Sequence, residues 1–342
     1  MTGIDDVARA TGVSTATVSR ALRGLPNVAA TTREAVRRAA DDLGYVASSS
    51  ASGLASGRTL AMGAVVPSVS RWFYTAVLEG VDHELRAASY DLILFNLGGR
   101  GEDRSRVFHR SILRKRTDAL VALCLDFSAE ERRQLTTIGH PAIVVGGPVR
   151  GLRHIGIDDV GTARAAVEHL IALGHRDIAH LGGEDEEGLN PSVPRARRAG
   201  WQAAMSAAGL PAREDRFVLG CFSIDTSKRA TDALLDSGRP FPTAIFAASD
   251  EMAMGAMLSI WSHGLKVPGD ISVIGIDGHP LARTFGLSTM EQHPFEQGAT
   301  AARMLLEELE GKPARTRSMR FAVAFVDRGS TAPPSPAARS RT

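Results

Sequence analysis

Seven apolar runs constrain this chain more than any other feature. They are LAMGAVVP (60–67), YDLILFNL (90–97), DALVALCL (118–125), AIVVGG (142–147), DIAHLGG (177–183), TAIFAAS (243–249) and ISVIGIDG (271–278). Between most of them lie amphipathic helical stretches such as 163–173 and 252–263. Short strands that are apolar on both faces and alternate with helices predict parallel sheets covered by helices on both sides. The runs are too many for one small sheet, and 342 residues exceed one ordinary core. The expected fold class is therefore α/β, with two adjacent doubly wound lobes and a cleft where their strand ends face each other.

Composition narrows the function classes. No run approaches the roughly 18–20 apolar residues of a membrane helix. The opening MTGIDDVARA carries an acidic pair where an export signal needs basic and then apolar residues, so a cytoplasmic protein is expected. Two cysteines, Cys124 and Cys221, make neither a disulfide framework nor a zinc clip. The net charge of +2, from 40 basic and 38 acidic residues, does not by itself announce nucleic acid. Glycine-rich phosphate loops, a nucleophile elbow and closely spaced histidine pairs are all missing, so an enzyme is disfavoured and neither cofactor nor metal is expected. Asp158-Asp159 precedes a helix, where carboxylates act as caps.

Residues 1–46 read differently, as three short helical patterns without a strand signal. Val7, Ala8 and Ala10 share one helix face, Gly12 breaks that helix, and Ser14 can cap a second one from Thr15 to Leu22. Thr31 or Thr32 is placed to cap the third. A helix, a tight Gly-containing turn and a short helix with polar residues at its start form a helix-turn-helix, whose second helix enters a DNA major groove. That helix exposes Thr15, Ala16, Thr17, Ser19 and Arg20; hydroxyls and one arginine can reach phosphates and base edges. A small structural three-helix bundle is the competing reading, since residues 1–60 hold only seven basic against five acidic side chains. Residues 47–59, ASSSASGLASGRT, read as a linker, and 331–342, TAPPSPAARSRT, as a disordered tail.

The run IDDVARATGVSTATVSRALRGLPNVAATTREAVRRAADDLGY (4–45) resembles the headpiece of the LacI/GalR (lactose-repressor) family of bacterial transcription regulators. The likeness continues through LGHRDIAHLGG (173–183), RARRAGW (195–201), TAIFAASDEMAMGAM (243–257) and GLKVPGDISVIGIDG (264–278), nearly the whole chain to about residue 330. It implies a homodimer on a palindromic operator and a two-lobed effector domain of the periplasmic-binding-protein type. On the headpiece, the resemblance makes Thr15, Ala16 and Arg20 base-reading positions and Ser14, Thr17, Ser19 and Asn27 phosphate positions. It turns the linker into a hinge helix that forms on DNA and pushes Leu54 into the minor groove, although Gly53 and the serines oppose helicity.

In the effector domain (60–330), lobes of 60–158 with 288–318 and of 159–287 with 319–330 are expected. Phe73 and Tyr74 follow the first strand and can stack on a ring, or simply pack a helix start. Arg71 and Trp72 depart from the family pattern beside them. The resemblance makes Arg197 and Asp277 a charged pair that holds vicinal hydroxyls across the cleft, with Ser249, Asp250 and Gln292 as further contacts. It implies a regulator of carbohydrate genes whose sugar effector releases DNA. A purine- or other small-molecule-responsive regulator is the alternative, and a plain two-lobed binding protein would require the first 46 residues to have no DNA-binding role.

Overall fold

The computed structural model describes residues 2–22, 24–45, 58–97, 104, 116–183, 190–312 and 318–335. The expected hinge with Leu54 lies outside them. The chain forms two compact units that divide at Leu60 and Ala61, with residues 115–117 joined to the first.

The N-terminal unit holds helices α1 (Ile4–Thr11), α2 (Thr15–Leu22) and α3 (Ala30–Asp42). Gly12 ends α1 at φ +67°, a left-handed conformation open to glycine at no steric cost. Ser14 starts α2, its Oγ accepting from the Thr17 amide at 3.2 Å. Ala29 occupies the cap position of α3 without a side-chain bond, so neither Thr31 nor Thr32 caps it. Val7, Val18, Ala21, Val36 and Ala40 close the small core.

In the larger unit the first lobe is built from β1 (Ala61–Val66), β2 (Asp91–Asn96), β3 (Ala119–Leu123), β4 (Ala142–Val145) and β5 (Arg153–Gly156), with α4 (Trp72–Ala87) and α5 (Ala129–Ile138). The second lobe follows as α6 (Asp159–Ala172), β6 (Ile178–Gly182), α7 (Ser192–Ala207), β7 (Phe217–Leu219), α8 (Ile224–Leu235), β8 (Ala244–Ala247), α9 (Asp250–Ser262), β9 (Ser272–Asp277), α10 (Pro280–Phe285) and β10 (Ser288–Glu291). The chain then returns through α11 (Pro294–Leu309) and β11 (Ser318–Arg320) to the first lobe and ends with β12 (Ala324–Val326) in the second. The sheets are ordered β11-β5-β4-β3-β1-β2 and β12-β10-β9-β8-β6-β7. All pairings are parallel except β10 with β12.

The seven apolar runs are therefore strands of two doubly wound sheets, as expected. The lobe boundaries need correction: β10 pairs with β9, so 288–291 belongs to the second lobe, and β11 places 318–320 in the first. Backbone pairing decides this, and the short polar-containing strands STME and SMR give no apolar run to reveal it. Helices α4 and α11 approach so closely that a Cβ on Gly80 would stand 2.0 Å from the Phe295 carbonyl oxygen, and one on Gly298 2.0 Å from that of Val77.

The tail also departs from expectation, because its first residues are bound to the second lobe. The Ala332 amide donates to Ser272 Oγ at 3.0 Å, its carbonyl lies 2.9 Å from His175 Nε2, and Pro334 is buried. Ser272 and His175, buried at the N-terminal end of the second sheet, bond each other, and the tail backbone completes their hydrogen bonding; residues 336–342 lie outside the described chain. Removing residues 331–342 should leave His175 and Ser272 short of partners and cost about 1–3 kcal/mol. Thermal unfolding should show a melting temperature lower by several degrees, with operator binding at 25 °C preserved.

Candidate functional site

Between the lobes lies a cleft of about 820 Å³. Its lining side chains follow the C-terminal ends of strands, where an open parallel sheet leaves a crevice free of backbone pairing. From the first lobe come Arg71, Phe73 and Tyr74 after β1, Cys124 after β3 and Ile157 after β5. From the second come Asn190 and Val193 at the start of α7, Phe222 after β7, Ser249 and Glu251 after β8, Asp277 at the end of β9 and Gln292 after β10, while Gln297 lies on α11, where the chain has returned to the first lobe. Contacts bridge the lobes directly, among them the Asn190 backbone amide donating to the Cys124 carbonyl at 2.9 Å, the Asn190 side-chain amide donating to the Gly147 carbonyl at 2.9 Å, and Trp72 stacked at a tilt on His279, ring centroids 4.5 Å apart.

Six of the seven expected effector residues line this cleft: Phe73, Tyr74, Arg197, Ser249, Asp277 and Gln292. Phe73 and Tyr74 meet edge to face, centroids 5.9 Å apart, so Phe73 offers a ring while the mostly buried Tyr74 anchors it in the first-lobe core. Ser249 caps α9, its Oγ accepting from the Met252 amide at 3.2 Å.

Asp250 is the exception. It is fully buried behind the cleft, accepting from the Gly278 amide at 2.9 Å, the His279 amide at 2.8 Å and the Thr289 hydroxyl at 2.6 Å. It holds the loop after β9 and does not line the cavity, because the first turn of α9 points it back into the sheet.

The expected Arg197–Asp277 pair across the cleft also changes. Both residues belong to the second lobe, and Arg197 Nε donates to Asp159 Oδ1 at 2.8 Å while Nη1 donates to the Ala248 carbonyl. Burial opposes the charge on Arg197, but Asp159 and then Asp277 outweigh it and raise its pKa. Asp159 is itself raised by burial, against the pull of Arg197. Asp158, not Asp159, caps α6, its Oδ1 accepting from the Gly161 amide at 3.1 Å.

Asp277 receives the Gln292 side-chain amide on Oδ1 and adopts φ +145°, rare for a residue with a side chain. Burial, reinforced by the neighbouring Asp250, raises its pKa well above the carboxylate range, against the charge of Arg197. Burial likewise pushes Asp250 up to about 6, against its three hydrogen bonds. Sequence reasoning did not single out Asp159, Asn190, Phe222, Glu251 or Gln297 as ligand contacts. Position immediately after a strand end is the signal that could have found most of them. Among the described residues no cluster of His, Cys, Asp and Glu could hold a metal ion, and no helix is long and apolar enough to cross a membrane.

In the N-terminal unit, α2 buries Val18 and Ala21 and exposes Thr15, Ala16 and Arg20. Thr17 and Ser19 are half-buried, and Ser14 Oγ lies 2.9 Å from Thr17 Oγ1. Asn27 is exposed in the loop before α3 at φ +67°, a conformation asparagine tolerates. Apart from Leu54, the expected DNA-contacting residues thus fall on α2 and its flanking turns.

A helix-turn-helix in one unit and a cleft between doubly wound lobes in the other define a ligand-responsive DNA-binding transcriptional regulator. Residues 3–48 match the model of bacterial regulatory proteins of the lacI family, and residues 167–331 match that of a periplasmic binding protein-like domain. The chain is 36% identical over 322 residues to the HTH-type transcriptional repressor PurR of Vibrio campbellii, covering 93% of this chain and 95% of the relative. Among solved structures, it resembles the lac repressor dimer bound to operator and the anti-inducer ONPF with TM-score 0.83 and 27% identity, over 97% of this chain and 99% of that one. It also resembles the transcriptional regulator CelR–cellobiose complex, with TM-score 0.70 and 27% identity, over 97% and 100%. The chain belongs to the lacI family of bacterial regulators.

The buried Asp250–Asp277 pair makes stability depend on pH. A carboxyl whose pKa is raised by folding stabilises the fold while protonated. For Asp250 that contribution is present below 3.8 and is lost as pH rises through about 6. Asp277→Asn removes the like charge, so its melting temperature should gain on the wild type progressively from about pH 4 to about pH 7. Differential scanning fluorimetry of both proteins across that range checks this; a pH-independent offset is the contrary outcome.

Proposed function

We propose that this chain is a cytoplasmic repressor of carbohydrate-utilisation genes that acts as a homodimer on a palindromic operator and is released by a sugar or sugar derivative. The observation that carries the ligand class is the placement of fixed polar groups on one lobe, Arg197 held by Asp159 and Asp277 held by Gln292, with the Phe73 ring on the other. A carboxyl group and an arginine fork grip hydroxyls, while an aromatic face covers the apolar side of a sugar ring. The cellobiose-bound regulator among its structural neighbours supports the same reading. A flat heterocycle such as a purine is the second reading, favoured by the additional ring of Phe222 in the cleft.

For DNA, Arg20 reads a base edge and Ser14, Thr15, Ala16, Thr17, Ser19 and Asn27 complete the contact surface. Two hinges carrying Leu54 wedge the operator centre. Effector binding shifts the dimer only if the ligand prefers the DNA-incompetent arrangement of the lobes.

Fluorescence anisotropy on duplexes tiling the DNA beside its own gene tests the proposal, titrated with and without candidate sugars. Arg20→Ala should lose about tenfold or more in operator affinity per half-site while keeping phosphate-based non-specific binding. Equal weakening on operator and scrambled duplex would make Arg20 a phosphate contact. Asp277→Ala should bind operator normally and stay bound at sugar concentrations that release the wild type; release at the same concentration would place the ligand elsewhere.

A further inference from the structure

The ionisable side chains of the cleft are compensated from within the protein. Arg197 is paired with Asp159 at 2.8 Å and also donates to the Ala248 carbonyl. Arg71 reaches across from the first lobe to the Cys221 carbonyl at 3.4 Å and lies 5.8 Å over the Phe222 ring. Its charge also acts on Glu251, where burial raises the carboxyl pKa and Arg71 and the Trp72 amide oppose that rise. Burial, then the charge of Asp159, pushes the Cys124 thiol up to about 12, so it stays neutral. Among the described residues, then, the cleft is lined by two arginines, Arg71 and Arg197, against three carboxyl residues, Asp159, Glu251 and Asp277. An anionic ligand would have to pull Arg197 from Asp159 or face these carboxyl groups away from water, which is strongly unfavourable.

Gln297 supplies the second observation. It lines the cavity at 1% exposure, and its Nε2 donates to the Gln292 carbonyl at 2.7 Å. Its Oε1 is buried and makes no hydrogen bond within the protein. The amide cannot be turned around, because the Gln292 carbonyl needs the NH2 group. A buried amide oxygen without a partner is unfavourable and calls for a donor. Gln292 in turn holds Asp277, so a donor at Gln297 joins a continuous polar chain from α11 to Asp277 of the second lobe.

We infer that the effector is an electrically neutral molecule and that one of its O–H or N–H groups donates to Gln297 Oε1, making Gln297 a specificity-determining residue. This rests on the cleft being the effector site.

The test is calorimetry with matched probes: neutral pentoses, hexoses, disaccharides and purine bases, each beside its phosphate ester or nucleoside monophosphate. Neutral members should supply the binders, with each phosphorylated counterpart weaker by about 100-fold or more. For the tightest neutral probe, Gln297→Leu should weaken binding by about tenfold or more. Analogues of that probe lacking single hydroxyl or N–H groups provide a measurement on the unaltered protein. One deletion should cost the wild type a similar factor and cost Gln297→Leu nothing further. A phosphorylated probe that binds as well as its neutral partner, and fails to bind Asp277→Ala, overturns neutrality while leaving the cleft as the effector site. A panel without any neutral binder overturns it too. A neutral binder that needs Asp277 yet ignores Gln297→Leu and every deletion overturns the role of Gln297. Indifference to both Asp277→Ala and Gln297→Leu would remove the cleft itself as the effector site.

Discussion

Parallel strand direction is the constraint from which most of this structure follows. Parallel strands must be connected by crossovers, which cover both sheet faces with helices and leave only the strand ends free for polar side chains. Here the C-terminal ends of strands from both sheets meet one cleft, and the lining residues sit on the turns that leave them. The chain passes between lobes after β5, after β10 and after β11, and the Phe321 amide donates to the Gly156 carbonyl at 2.8 Å where the first and last of these passages meet.

The second-lobe wall of the cleft is held by a buried hydrogen-bond cluster. Asp250 gathers two backbone amides and the Thr289 hydroxyl behind the sheet end, which fixes the Gly278–His279 turn. That turn in turn sets Asp277 at a φ of +145°, a conformation unfavourable for a side-chain-bearing residue and sustained by its surroundings. Burial raises the pKa of both carboxyls, and Asp250 raises that of Asp277 further, so this geometry is maintained at some expense in stability. The buried Arg197–Asp159 pair is of the same kind. Replacing such a pair with apolar groups is often neutral or stabilising, so its retention at the cleft fits recognition better than folding.

Much of the architecture was legible in the sequence because it is written in local chemistry. Apolar runs such as AIVVGG and TAIFAAS mark strands buried on both faces, and Gly12 with Ser14 marks the turn of the helix-turn-helix. Phe73, Tyr74, Arg197, Asp277, Ser249 and Gln292 were reachable through resemblance and strand-end position together. Asp250 was misread because a carboxylate at a helix start looks the same whether it faces a ligand or a backbone turn. The tail was misread because a Pro- and Ser-rich segment has nothing to bury by itself, yet Ala332 meets the unpaired needs of His175 and Ser272.

The sequence by itself determined the periodicities, and with them the element types, the two-lobed α/β class and the DNA-binding headpiece. Those depend on neighbours within a few residues, or on a face that must leave water. The tertiary structure alone decided which lobe owns β10 and β11, that Arg197 is partnered by Asp159 and not set against Asp277 across the cleft, and that Gln297 carries an unpaired amide oxygen beside the cleft. Each of these rests on contacts between residues far apart in the chain, where a hydrogen bond or ion pair depends on positions within about half an ångström. No local pattern carries that information.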